Sequence, residues 1–232
     1  GRRETQARLT YQRLFRRYLR LSGMTGTAQE VAGELRSVYG LDVVRIPTRL
    51  PMARRQQRER VFARAADKWR AIAVRAAELQ GQGRPVLIGT RSVAASEQLS
   101  DLLEQRGLTH RVLNARQDRH EAEVIAAAGE RGAVSVATNM AGRGTDIRMG
   151  PGVRELGGLH VIASEPAEAR RIDRQLFGRC GRQGDPGSFE RMLSLEDELV
   201  GRFTPRALHW LLAGVARRGG RVGQWLCSLW IA

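Results

Sequence analysis

Short strand-like runs, most of them apolar without polar alternation, recur from residue 85 onward: Pro85–Gly89, His110–Leu113, Ala133–Thr138, Gly158–Ser164 and Phe189–Leu193. Helical stretches intervene at Ser92–Arg106, His120–Ala128 and Ala167–Phe177, the last extending towards Arg182. A strand that is apolar on successive residues is buried on both faces. Strands separated by helices in this way predict an α/β fold with a parallel sheet covered on both faces. The 232 residues, 42% of them hydrophobic, are enough to fill such a core.

Upstream, residues 4–21 carry a rough 3.6-residue apolar period and predict a helix. Ser22–Thr27 breaks it and caps a second helix over Ala28–Tyr39. Leu41–Ile46 is a short β-rich run stopped by Pro47, Arg49–Arg60 is polar and predicted irregular, and Ala65–Gln80 is a helix. The expected organisation is a connecting helix over 1–21, one domain over 22–203, and a helical segment over 204–232. That last segment holds two apolar stretches, Leu208–Val215 and Trp225–Ile231, each too short to span a bilayer. They read as docking helices, with a membrane-surface helix as the alternative.

The net charge of +15 calls for an anionic partner: nucleic acid, acidic lipid or an acidic neighbouring domain. Cys180 and Cys227 have no metal-ligand spacing, so no metal site is expected and a reducing cytosol is the default compartment. The chain starts at Gly1 without an apolar leader, and it is expected to be a piece of something longer.

Two glycine-rich, arginine-bearing stretches concentrate the chemistry: Ala137–Ile147 (ATNMAGRGTDI) and Arg170–Asp185 (RRIDRQLFGRCGRQGD). If the second is helical to Arg182, then Arg171, Gln175, Arg179 and Arg182 lie within about 80° of arc on one face. Gly178 and Gly181 would each cost about 1 kcal/mol there, which is understandable if a ligand approaches the backbone. Arginine's planar fork suits phosphate oxygens. In the first stretch Gly142 and Gly144 free Arg143, while Asp146 can accept ribose hydroxyls or fix Arg143. That loop follows a strand, so the expected site is at the carboxyl edge of the sheet. A GxxxxGK[ST] phosphate loop is absent from the sequence, since the only lysine, Lys68, sits in ADKWR. Glu196-Asp197-Glu198 reads as a helix start.

The motifs LSGMTGTA, VRIPT, PVLIGTRS, VLNAR, ATNMAGRGTDI, GGLHVIASE, RRIDRQLFGRCGRQGD and SLEDEL follow one another over Leu9–Phe203. In wording and order they resemble the second nucleotide-binding domain of the SecA family of protein-export motors. The resemblance implies a RecA-like parallel sheet with helices on both faces, the superfamily-2 helicase-like C-terminal motor domain. It implies closure over ATP and Mg2+ held mainly by a first nucleotide-binding domain, with turnover driving unfolded preprotein through the SecYEG channel at the cytoplasmic face of the inner membrane. Anionic lipid is a further implied partner; nucleic acid is not. By the same resemblance Asp146 contacts ATP, Arg143, Arg179 and Arg182 face the phosphates, and Arg171 serves interdomain gating. Gly89, Thr90 and Ser92 belong to a scaffold motif. Phe177 and Cys180 depart from the arginine and serine usual in the family. The alternative reading is the C-terminal RecA domain of a nucleic-acid helicase, and a third is a regulatory remnant without an ATPase partner.

Overall fold

The computed structural model describes residues 8–113, 125–138 and 145–203, together with Gly214. The chain divides into two compact units, residues 1–48 and 49–232. Apart from Gly214, the helical segments predicted over 204–232 lie outside the described residues, as does most of the His120–Ala128 helix.

In the first unit the helix expected over 4–21 shrinks to α1, Tyr11–Phe15, capped by the Thr10 hydroxyl, which accepts from the Arg13 amide. Its apolar period finds no core: Tyr11, Leu14, Phe15 and Tyr18 are all exposed. Without burial, an amphipathic stretch keeps only its marginal intrinsic helicity. A 3-10 turn over Ala28–Val31 leads into α2, Ala32–Tyr39. Gly40 ends α2 at φ 69, and the amides of Gly40 and Leu41 bond back to the Arg36 and Leu35 carbonyls. The strand expected at Leu41–Ile46 does not form. Val44 and Ile46 stay exposed and pair with no strand among the described residues.

Among the described residues the second unit is built on seven parallel strands: β1 (Arg54–Gln56), β2 (Arg60–Phe62), β3 (Val86–Thr90), β4 (Arg111–Leu113), β5 (Val134–Thr138), β6 (Leu159–Ala163) and β7 (Gly187–Ser194). Their order is β1-β7-β6-β3-β5-β4, and β2 pairs with the second half of β7 beyond β1. The stretch predicted irregular, Arg49–Arg60, therefore supplies β1 and leads into β2. These are polar edge strands that a hydrophobicity pattern does not reveal.

Every residue of β3, β5 and β6 is buried. Alternate side chains of these strands feed two cores, one per face. The first packs Val86, Ile88, Val134, Val136 and Ile162 under α3 (Ala65–Gly81) and α4 (Val93–Gln105). The second packs Leu87, Ala137, Val161 and Ala163 with Leu176 and Phe177 of α5 (Arg170–Phe177). The Ser92 hydroxyl accepts from the Ala95 amide and starts α4 where the sequence predicts. A short helix, α6 (Glu198–Phe203), follows β7. Among the described residues, no helix is long and apolar enough to cross a membrane, and none cluster as metal ligands.

Candidate functional site

Helix α5 stops at Phe177, five residues short of Arg182. The Gly178 amide closes the last turn on the Arg174 carbonyl, and the backbone then turns left-handed at Gly181 (φ 65), Gln183 (φ 51) and Gly184 (φ 81). The expected four-residue helical stripe is thus divided. Arg171 and Gln175 lie on the exposed side of α5, whereas Arg179 and Arg182 sit on the turn that follows.

The turn brings the two motifs together. The Arg182 guanidinium pairs with the Asp146 carboxylate, while its Nε donates to the Gly178 carbonyl at 2.9 Å. Both side chains remain substantially exposed, so the pair is open to a ligand. Asp146 therefore grips the arginine of the other motif. Arg143, with Gly142 and Gly144, lies outside the described residues.

The pair is not at the strands' carboxyl ends, where the sequence places it. After Asp146 the chain has already turned back across the α5 face: Ile147 is buried in that core, and the Gly150 amide bonds to the carbonyl of Gly129, which precedes β5. The Arg182 turn in turn feeds the amino end of β7, where Gly187 pairs with Leu159 and Arg54, the first residues of β6 and β1.

The carboxyl edge carries ion pairs that the sequence left unread. The Arg91 amide donates to Glu165 at 3.1 Å, and its guanidinium reaches Glu168 at 3.1 Å and Glu198 at 3.9 Å. Arg91 thereby ties the loop after β3 to the loop after β6 and to the start of α6. Nearby, Lys68 in the first turn of α3 meets Asp197 at 2.5 Å with both side chains buried. Burial pushes the Asp197 carboxyl above its ordinary range, against the pull of the Lys68 charge. The Glu196 carboxylate accepts the Ala65 amide at 2.8 Å, capping α3. The acidic run after β7 thus does more than start α6.

Beneath α3 lies a polar network. His160 accepts from the Ser188 hydroxyl at Nδ1 (2.7 Å) and donates from Nε2 to Glu190 (2.9 Å). Glu190 also accepts from Arg75 at 2.9 Å, and Ser188 accepts from Arg84 at 2.9 Å. Burial holds the His160 imidazole below its usual range. Burial would raise Glu190, but hydrogen bonds from His160 and Arg75 outweigh it and the net direction is down. A histidine inside the otherwise apolar run Gly158–Ser164 was the available signal.

Gly89, in the scaffold motif, leaves room for α5: a Cβ there would sit 2.5 Å from Leu176 Cδ2.

A parallel sheet with helices on both faces, bearing an acid and an arginine from two glycine-rich motifs on its α5 face, has the architecture of a RecA-like α/β domain. Two family models match the sequence as well: the SecA P-loop domain fits residues 51–153 and 151–218, and the SecA DEAD-like domain fits residues 1–36. The chain belongs to the SecA family. It is 59% identical over 203 residues to "Protein translocase subunit SecA 2" of Nitrosospira multiformis, covering 88% of this chain and 30% of that protein. It is 54% identical over 203 residues to "Protein translocase subunit SecA" of Chlorobium luteolum, covering 88% of this chain and 20% of that protein. The chain thus spans under a third of the length of these relatives. Among solved structures, the E. coli DEAD-box protein SrmB, bound to regulator of ribonuclease activity A, superposes with a TM-score of 0.50 at 21% identity, covering 65% of this chain and 86% of that one. That likeness concerns the fold alone.

Proposed function

We propose that residues 22–203 are the second motor domain of a SecA-type translocase, joined by residues 1–21 to a first nucleotide-binding domain and followed by a helical segment over 204–232. The domain closes over ATP whose phosphates and Mg2+ are held mainly by that first domain. The closure cycle moves unfolded preprotein through the SecYEG channel, with the motor peripheral to the cytoplasmic face of the inner membrane and in contact with anionic lipid. The observation that carries this reading is the Asp146–Arg182 pair, which unites the two glycine-rich motifs at one exposed place.

The pair suits a nucleotide. Asp146 offers an acceptor for ribose hydroxyls, and Arg182 offers a planar donor for phosphate oxygens. Each would exchange its present partner for the ligand, so the energetic cost of parting them is partly recovered. Arg143 and Arg179 supply further positive charge, Gly142 and Gly144 let the backbone approach, and Gln175 and Arg171 face the first domain from α5. An arginine brought to a transferring phosphoryl group in this way contributes about 10³ to 10⁵ in rate.

The test is ATPase turnover by this chain joined to the first nucleotide-binding domain of its full-length protein. Arg182→Ala should lower kcat at least a hundredfold with KM little changed, and Asp146→Ala should raise KM. The 232-residue chain by itself should not turn over ATP. Wild-type kcat in Arg182→Ala would defeat the proposal. ATPase stimulated by single-stranded RNA, lost with rising salt, would favour a helicase instead.

A further inference from the structure

We infer that Arg54, on the edge strand β1, is a positioning residue for the arginine-bearing turn and so for Arg182; the functional part of this inference rests on the reading of Arg182 given above. Arg54 lies far in sequence from both motifs, yet it touches the turn in three ways. Its Nη1 donates to the Phe177 carbonyl at 2.8 Å, at the point where α5 gives way to the turn. Its guanidinium carbon lies 5.7 Å from the centre of the Phe189 ring, which itself stacks on Phe177 at 4.2 Å between centroids. Its backbone lies against Gly181, where an added Cβ would come within 2.7 Å of Arg54 Cβ and 3.2 Å of its Cα.

These contacts fix the turn from outside. Gly181 has φ 65 and Gly187 is equally crowded: a Cβ on Gly187 would sit 2.6 Å from the Gly181 amide nitrogen. Three backbones therefore meet at Arg54, Gly181 and Gly187, with Arg54 and Gly187 held in strand register. From this anchored point the Arg182 side chain folds back on the Gly178 carbonyl and reaches Asp146. Arg54 thus holds the helix end and the glycine turn at once, and the position of Arg182 follows from both. Phe177 takes part through its carbonyl and its ring, which gives a role to a residue that departs from the family's usual arginine.

The experiment follows the Arg182 Nε–Hε proton by NMR in the 232-residue chain, comparing wild type with Arg54→Met and Arg54→Lys. In Arg54→Met the Arg182 proton should exchange about tenfold faster, the ratio that loss of one charge-assisted hydrogen bond sustains, while amide protection in β3 and β5 is unchanged. Arg54→Lys keeps a cation but not a fork that can serve the carbonyl while lying over Phe189, so its exchange should rise by a smaller factor. Should Arg54→Met fail to fold, Arg54→Lys decides. Wild-type Arg182 exchange in either folded variant overturns the positioning role. In the protein that includes the first domain, Arg54→Met should lower kcat about as much as it weakens Arg182, with KM held. Faster Arg182 exchange with unchanged kcat would leave Arg54 as the positioner of Arg182 and overturn the catalytic reading of Arg182 instead.

Discussion

Lys68 and Asp197 form a 2.5 Å ion pair with both side chains almost wholly buried, joining the first turn of α3 to the residues that follow β7. Asp197 also accepts the Ser194 amide at 2.7 Å, so its carboxylate secures the end of β7 as well as the lysine. In a chain whose other Lys/Arg residues are all arginines, the one lysine occupies this buried pair.

Removing one partner should be far worse than removing both. Lys68→Met should cost about 3–5 kcal/mol, because it leaves a buried carboxylate uncompensated, whereas Lys68→Met with Asp197→Leu should recover most of the loss. Urea unfolding of the two single variants and the double gives the comparison directly.

Two glycines should respond to alanine with opposite signs. Gly158 has φ 71, and a Cβ there would lie 1.9 Å from the Pro186 carbonyl oxygen, a backbone atom that cannot move aside. Gly158→Ala should destabilise by about 2 kcal/mol or more, combining overpacking and backbone strain. Gly81 closes α3 with nothing within 4 Å of an added Cβ. Gly81→Ala should stabilise by about 0.5–1 kcal/mol through the unfolded chain's lost freedom. Thermal melts of both variants suffice to check this.

His160 should weaken the fold on mild acidification. Its pKa is depressed below the ordinary 6.5 by burial, so the unfolded chain takes up a proton first and stability is lost as pH falls through that value. Glu190, also depressed, adds to the loss below its ordinary 4.5. The stability gap between wild type and His160→Gln should therefore narrow between pH 7.5 and 5.5. A constant gap across that range would contradict the neutral, doubly bonded imidazole.

Cys180 should be chemically silent in the native state. Its thiol is buried, and burial pushes its pKa up to about 11, leaving little thiolate to react. In a Cys227→Ser background, iodoacetamide labelling should proceed only at the rate at which the chain opens. Labelling of folded protein at the rate of a free thiol would disprove this.

The sequence disclosed those elements that hydrophobic burial determines. The runs at 86–90, 134–138 and 159–163 are strands because each is enclosed by helices on both faces, and α3 and α4 follow their apolar period and caps. It misled where pairing, not hydrophobicity, decides. Arg54–Gln56 is a strand because β7 has an open edge beside it, while Leu41–Ile46 has the right composition and pairs with no strand among the described residues. At the candidate site both motifs were legible and the meeting of Asp146 with Arg182 was not. That contact depends on α5 stopping at Phe177 and on a left-handed turn at Gly181, which the Arg54 backbone leaves room for only in glycine.

The outermost strands share a trait with a bearing on handling the protein. β1, β2 and β4 are three residues long, and each opens with an arginine. Brief, cationic margins offer a stranger's backbone little to zip onto. Solutions of this chain should accordingly resist fibril growth from the rim of the sheet, even when its first unit leaves greasy side chains uncovered.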